Sequence, residues 1–363
     1  IERAAVDLFL KHGVKTVEAS AFLGLTQNIV RYRVAGLRFN GQNQIEIGNR
    51  VIAKISRTEV ASKFMAPAPE AILRKLVAVG SITGEQAQLA ENVPMADDIT
   101  VEADSGGHTD NRPLVLLLPA MLALREQFQS KHDYAQPIRI GAAGGIGTPS
   151  SALAAFMMGA AYVATGSVNQ SCVEAAASAH TKNLLAQAEM TDVTMAPAAD
   201  MFEMGVELQV LKRGTMFPMR AKKLYELYKN YESIEAIPLQ ERLKLEQQVF
   251  RSSLDEIWRQ TEEHFNARDP HQIERAKDHP KRKMALIFRW YLGLSSRWSN
   301  SGEQGREADY QIWAGPAMGA FNNWVKGSYL EEVSNRKTVE VGWHIMTGAA
   351  YLYRLGLLQI QGV

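Results

Sequence analysis

Three glycine-bearing segments hold the residues whose types and spacing could do chemistry. The first, Glu102-Ala103-Asp104-Ser105-Gly106-Gly107-His108-Thr109-Asp110-Asn111, follows a β-rich run and sets an imidazole beside two adjacent glycines. Paired glycines let the backbone approach a flat ligand closely. An imidazole there can give or take a proton near neutral pH. The blander reading is a turn whose histidine caps a helix or satisfies a carbonyl. The second segment, Gly141-Ala142-Ala143-Gly144-Gly145-Ile146-Gly147-Thr148-Pro149-Ser150, closes one β-rich run and opens a helical one. Amides before a helix start favour an anion, because unpaired N–H groups and the helix dipole act together. Its G-x-x-G-G-x-G spacing departs from the G-x-G-x-x-G of dinucleotide folds, and it lies mid-chain rather than after a first strand. The third, Thr165-Gly166-Ser167-Val168-Asn169-Gln170, comes one helix later. Lys54 is a weaker candidate. It interrupts the apolar run Val51–Ile55, where an unpaired ammonium would be costly. Either it faces a ligand at the mouth of the sheet or it sits at a frayed edge.

These segments need a frame. Ala4, Ala5, Leu8 and Phe9 share one helical face, so a helix opens the chain. Strands are expected at 14–19, 51–55, 99–103, 138–141 and 161–165, with a hairpin flanking Asn40-Gly41 and helices near 28–34, 114–129 and 150–158. Strand, helix, strand at this cadence reads as parallel α/β. Glycine-bearing loops after two consecutive late strands are a recurring phosphate grip of (β/α)8 barrels, so a phosphate-bearing cofactor is expected at that corner. The stretch 67–92 is long for one connection and reads as a helical insertion. Past residue 190 the pattern turns helical: Leu224, Leu227, Tyr228 and Tyr231 keep i, i+3, i+4, i+7 spacing. Aromatics gather in Ile287–Tyr291, Trp298, Trp313, Phe321, Trp324 and Trp343. The expected division is a barrel portion over 1–235 and an all-helical domain with an aromatic core over 236–363.

Composition bounds the function. The 363 residues carry 40 Lys plus Arg against 39 Asp plus Glu, a net charge of +1, which gives no general reason to expect nucleic acid as partner. The single cysteine, Cys172, cannot form an intramolecular disulfide and fits a reducing compartment. The longest apolar run, Leu114–Leu124, is broken by Pro119 and falls short of the roughly 18 residues of a membrane span. A cytoplasmic protein that does not engage membranes is the expectation.

The three loops, in that order, resemble the nitronate monooxygenase (2-nitropropane dioxygenase-like) superfamily of FMN-dependent enzymes. Val101–Arg112 (VEADSGGHTDNR), Gly141–Pro149 (GAAGGIGTP), Ala196–Gly205 (APAADMFEMG), Lys283–Tyr291 (KMALIFRWY) and Gly315–Gly327 (GPAMGAFNNWVKG) narrow it. They look like the enoyl reductase of polyunsaturated fatty acid synthases, whose relatives serve trans-acyltransferase polyketide synthases. The resemblance implies a TIM barrel holding FMN, with the phosphate at the Gly144-Gly145 and Gly166-Ser167 amides. It puts Lys54 near the flavin, Gly106 and Gly107 beside it, and His108 facing its reactive side. It implies no metal. Asp110 stands where superfamily members often have glycine, which suits the synthase branch and argues against transferring nitronate oxidation. By the same count, Val14–Ala19 is the fourth strand of eight, so the first three are expected to be missing from this chain; a full barrel takes about 250 residues.

The implied activity is reduction of trans-2-enoyl thioesters on an acyl carrier protein, with NADPH as reductant and a homodimer as a compatible assembly. Two rival readings stand beside it: oxidation of nitronates with His108 as base, and a non-catalytic docking module. In the latter, the basic stretch Lys277–Arg289 would meet an acidic carrier protein, although such a run is more often a solvated helix face.

Overall fold

The computed structural model describes residues 2–362. From its start run α1 (Glu2–Lys11), β1 (Thr16–Ser20), α2 (Gln27–Ala35), the hairpin strands β2 (Leu37–Phe39) and β3 (Ile45–Ile47), and β4 (Arg50–Ile55). There follow α3 (Thr58–Met65), α4 (Glu70–Ala78), α5 (Gly84–Leu89), β5 (Asp98–Glu102) and the short β6 (Gly107–His108). Next come α6 (Leu114–His132), β7 (Arg139–Ala143), α7 (Pro149–Met157), β8 (Tyr162–Ala164), α8 (Ser167–Gln170) and α9 (Ala179–Ala186). Strands β9 (Val193–Pro197) and β10 (Glu207–Leu211) precede α10 (Phe217–Asn230), α11 (Leu239–Lys244), α12 (Leu254–Arg268) and α13 (His271–Lys277). Helices α14 (Pro280–Ser301), α15 (Ala317–Val325) and α16 (Thr338–Ile360) end the run. The chain gathers into two compact units. One holds everything through Asp104, Asp110–Thr165 and the residues from Gly348 on; the other holds Ser105–Thr109 and Gly166–Thr347. Residue 236 lies inside the second.

The first unit is built on a five-stranded sheet in the order β1-β4-β5-β7-β8, every pair parallel. Helices separate the consecutive strands, the repeating unit of a (β/α)8-type barrel. Burial follows strand position: β5 and β7 are buried nearly throughout, whereas β1 and β8 at the edges are half-exposed. Val51, Ala53, Ile99, Val101, Ile140 and Ala142 share one apolar cluster with Phe64, Leu118 and Met121 from the helices. Helices α4 and α5 occupy the stretch read as an insertion, and their Leu73, Leu76 and Leu89 join the same cluster. Beneath it the buried Arg33 donates to the carbonyls of Pro94 and Asn49 and to Asp97 Oδ2 at 2.6 Å.

The opposite face of the sheet is polar. Ser20, Lys54, Thr100, Gly141 and Tyr162 stand in one register row across the five strands. Tyr162 reaches over the bare Gly141 to Thr100, with 2.7 Å between the two hydroxyl oxygens. A Cβ on Gly141 would lie 2.2 Å from the Tyr162 ring, so the glycine makes that reach possible.

In the second unit, β6, β10 and β9 form an antiparallel sheet that sequence periodicity does not reveal. The helices pack around Phe250, Phe288, Tyr291 and Trp298, whose ring centroids lie about 6 Å apart. The aromatic core is narrower than expected: Trp313 and Trp324 are partly exposed and Trp343 is 71% exposed. The fully buried Asp309 accepts hydrogen bonds from Arg220, Arg251, Arg306 and the Tyr291 hydroxyl, which joins α10, α14 and the segment after it. Among the described residues no helix is long and apolar enough to cross a membrane.

Candidate functional site

Residues 105–109 form the tip of the loop after β5. The chain enters and leaves this tip through residues fixed in the first unit. The Asp104 amide donates to the Arg112 carbonyl at 3.0 Å. Asp110 is clamped harder: Arg57 Nε and Nη2 donate to its two oxygens at 2.9 Å each, and Ser56 Oγ donates at 2.5 Å. The Arg57 guanidinium holds the Asp110 carboxyl down at about 2, well below the usual carboxylate range. Asp110 is thus a fastening for the loop.

Within the second unit the tip is pinned as β6. His108 pairs with Leu208 and Gly107 with Gln209, while Gln209 Nε2 donates to the Ser105 carbonyl at 2.8 Å. The two glycines were expected to let a flat ligand approach. The close approach observed is to the chain itself: a Cβ on Gly106 would lie 2.8 Å from the Ala314 backbone, and one on Gly107 would lie 2.8 Å from the Trp313 ring. Gly107 also has φ +79°, a region that side chains rarely adopt. Trp313 packs edge-on against His108, ring centroids 5.9 Å apart. His108 is about one-third exposed, and its Nε2 lies 3.1 Å from Asp200 Oδ1. A carboxylate only accepts, so Nε2 carries the hydrogen in this contact and Nδ1 is the ring's other nitrogen. Asp200 lies in the loop after β9, inside the string Ala196–Gly205 that carries the resemblance; no periodicity marks it. The sequence marks Trp313 only as one of the gathered aromatics expected in a core, not as the neighbour of His108.

The other candidates divide by unit. In the first, Gly144 and Gly145 have φ +79° and +73°. A Cβ on Gly144 would collide with the Ala103 backbone at 2.6 Å, whereas one on Gly145 would meet open space. Thr148 caps α7: its hydroxyl accepts from the Ser151 amide, and Ser151 Oγ accepts from the amides of Gly147 and Thr148. That use of the later donors leaves the Gly144 and Gly145 amides ahead of the helix, with no acceptor paired to them among the described residues. Open space at Gly145 and amides of this kind fit a phosphate. Lys54 is not at a frayed edge, because β4 lies between β1 and β5. Its Nζ is 3.2 Å from Glu102 and 3.9 Å from Glu18, one carboxylate on each neighbouring strand. In the second unit, a Cβ on Gly166 would also meet open space, and Ser167 Oγ accepts from the Gly315 amide at 2.9 Å, which leaves its own O–H to donate. The basic stretch Lys277–Arg289, for which docking is only the rival reading to a solvated helix face, is engaged locally. Lys281 donates to the Tyr231 carbonyl, Lys283 lies over the Trp258 ring, and Arg289 faces Glu203.

A parallel sheet alternating with helices, followed by a helical carboxy-terminal part, defines an α/β protein of the TIM-barrel type. Comparison with known proteins sharpens this. The chain is 51% identical over 366 residues to one of the polyunsaturated fatty acid synthase subunits of Thraustochytrium sp., covering 99% of this chain and 24% of that protein. It is 50% identical over 351 residues to the polyketide biosynthesis protein PksE of Bacillus subtilis, covering 97% of this chain and 45% of that one. It therefore spans less than half of either curated relative. The crystal structure of the enoyl reductase domain of MlnA, from the macrolactin cluster of Bacillus amyloliquefaciens, superposes with a TM-score of 0.94 at 38% identity, covering 99% of this chain and 80% of that one. Residues 231–310 match the family described as [acyl-carrier-protein] S-malonyltransferase, inserted helical domain. The chain belongs to the family of the MlnA enoyl reductase domain, to which segments of the polyunsaturated fatty acid synthase and polyketide biosynthesis proteins also belong.

Proposed function

We propose that this chain is an FMN-dependent enoyl reductase that acts on trans-2-enoyl thioesters carried by an acyl carrier protein, with NADPH as reductant. The observation that carries the reading is His108, held on β6 by Asp200 and Trp313 at the tip of the glycine loop. In it, the amides of Gly144 and Gly145, and those of Gly166 and Ser167, hold the FMN phosphate; Lys54, Gly106 and Gly107 contribute to the flavin's surroundings. When bound, the reduced flavin supplies hydride to the thioester's β-carbon. The chain's part is protonation and charge. Asp200 keeps the His108 ring oriented through Nε2–H, so the imidazolium gives its proton to the α-carbon from Nδ1. Negative charge grows on the thioester oxygen as hydride arrives, and hydrogen-bond donors aimed there lower the barrier. The match of residues 231–310 to a domain of a carrier-protein transacylase supports a carrier-protein partner.

The test is the visible spectrum of the holoprotein followed by stopped flow. Bleaching by NADPH and rapid reoxidation by crotonyl thioester is the expected outcome. A colourless protein, or reoxidation by nitronate and oxygen but not by the thioester, would overturn the reading.

A further inference from the structure

One cavity lies within the second unit, between α12 and α14 and beside the loop that follows β9. Its volume is about 590 Å³, in the range of small-molecule sites. Phe265 and Trp290 give it apolar walls. Three arginines line it against a single acid, Asp200. Arg289 is occupied with Glu203 at 3.3 Å, whereas Arg268 and Arg297 have no ion-pair partner among the described residues. Gly293, in the middle of α14, also lines it. A glycine there weakens the helix, and a Cβ on it would meet nothing within 4 Å. Neither packing nor a positive φ requires glycine at this point. What the missing side chain leaves is cavity.

The same Asp200 that lines this cavity accepts the His108 Nε2–H. We infer that the cavity binds the phosphate-bearing arm of the thioester substrate, with its phosphate ester between Arg268 and Arg297 and its amphipathic chain along Trp290 and Phe265. The inference rests on the reductase reading and adds to it where the arm is held. Free guanidinium groups suit a phosphate oxygen pair. An apolar wall beside them suits a chain whose length alternates amide and methylene groups. The reductant carries phosphate esters too, so the test separates the two sources.

Calorimetric titration of the holoprotein with 4′-phosphopantetheine and with pantetheine should show selectivity for the phosphorylated compound. The Arg268→Ala, Arg297→Ala double variant should lower that selectivity by about tenfold or more, and in turnover it should lower the preference for crotonyl phosphopantetheine over crotonyl pantetheine to the same extent. Gly293→Met, which favours the helix while filling the cavity, should weaken both compounds with thermal stability at or above that of the wild type. Unchanged selectivity in the arginine variant overturns the inference. So does a rise in the KM for NADPH with the thioester preference intact, because the cavity would then belong to the nucleotide. A wild-type protein that reduces no enoyl thioester sinks the reductase reading alone; phosphate-selective binding that the variants abolish would still support the cavity, and its absence would overturn it.

Discussion

His108 Nε2 lies 3.1 Å from Asp200 Oδ1, although 92 residues separate them in the chain. Two antiparallel pairings bring them together: β6 lies on β10, β10 lies on β9, and Asp200 follows β9 directly. The carboxylate fixes which ring nitrogen points away from it. Under the reductase reading, His108→Ala should slow enoyl reduction by roughly 10² to 10⁴ while leaving bound flavin in place. Asp200 acts through the histidine, as a positioning residue. Asp200→Ala should cost less than His108→Ala, and Asp200→Glu should recover part of the loss. Turnover of His108→Ala at the wild-type rate would remove the imidazole from the mechanism.

Gly107 answers to two constraints at once, a φ of +79° and a Trp313 ring where a Cβ would stand. Gly107→Ala should therefore lower the melting temperature. Adding Trp313→Ala should return only the part due to the clash, because the backbone strain remains. At Gly145 only the backbone term applies, since its Cβ would meet open space. Gly145→Ala should be the milder change in a thermal melt.

The Arg57–Asp110 clamp gives the loop an acid limit. A carboxyl held near 2 contributes stability that is fully present above its ordinary value near 3.8 and is lost as pH falls from about 4 toward 2. The melting-temperature gap between the wild type and Asp110→Asn should stay constant above pH 5 and shrink below pH 4. A gap unchanged down to pH 2 would show that the clamp adds nothing to stability.

Arg33 is almost wholly buried, and burial pulls its guanidinium below the usual arginine range even with Asp97 against it. Its donors also satisfy the Pro94 and Asn49 carbonyls. Removing it strands a carboxylate that, among the described residues, the Val51 amide alone would still serve. Arg33→Met should cost about 3–5 kcal/mol in urea unfolding. Arg33→Met with Asp97→Leu should cost less than the single change, because the second substitution removes the stranded charge.

Local pattern makes much of the first unit legible. Val51–Ile55 is a short apolar run broken only by Lys54, and Ile99–Ala103 alternates apolar residues with Thr100 and Glu102; both are strands of the parallel sheet within a residue at each end. The Asn40-Gly41 hairpin and the α7 start at Pro149 follow from turn and capping chemistry that acts over a few residues. Strand β9 escapes such a reading because Val193–Pro197 keeps no clean alternation, and β10 because Glu207–Val210 alternates over only four residues; their pairing partners supply the order that so short a pattern does not.

By itself the sequence determined the alternation of strands and helices, the loops that bear glycine, and the histidine beside them, because period, turn chemistry and composition are local properties of a chain. The tertiary structure decided that the Gly106-Gly107 pair is demanded by Ala314 and Trp313, that Lys54 stands between two carboxylates on neighbouring strands, and that Asp200 faces His108. Each of these depends on which strands pair and in which register, and register is fixed by burial across the whole unit.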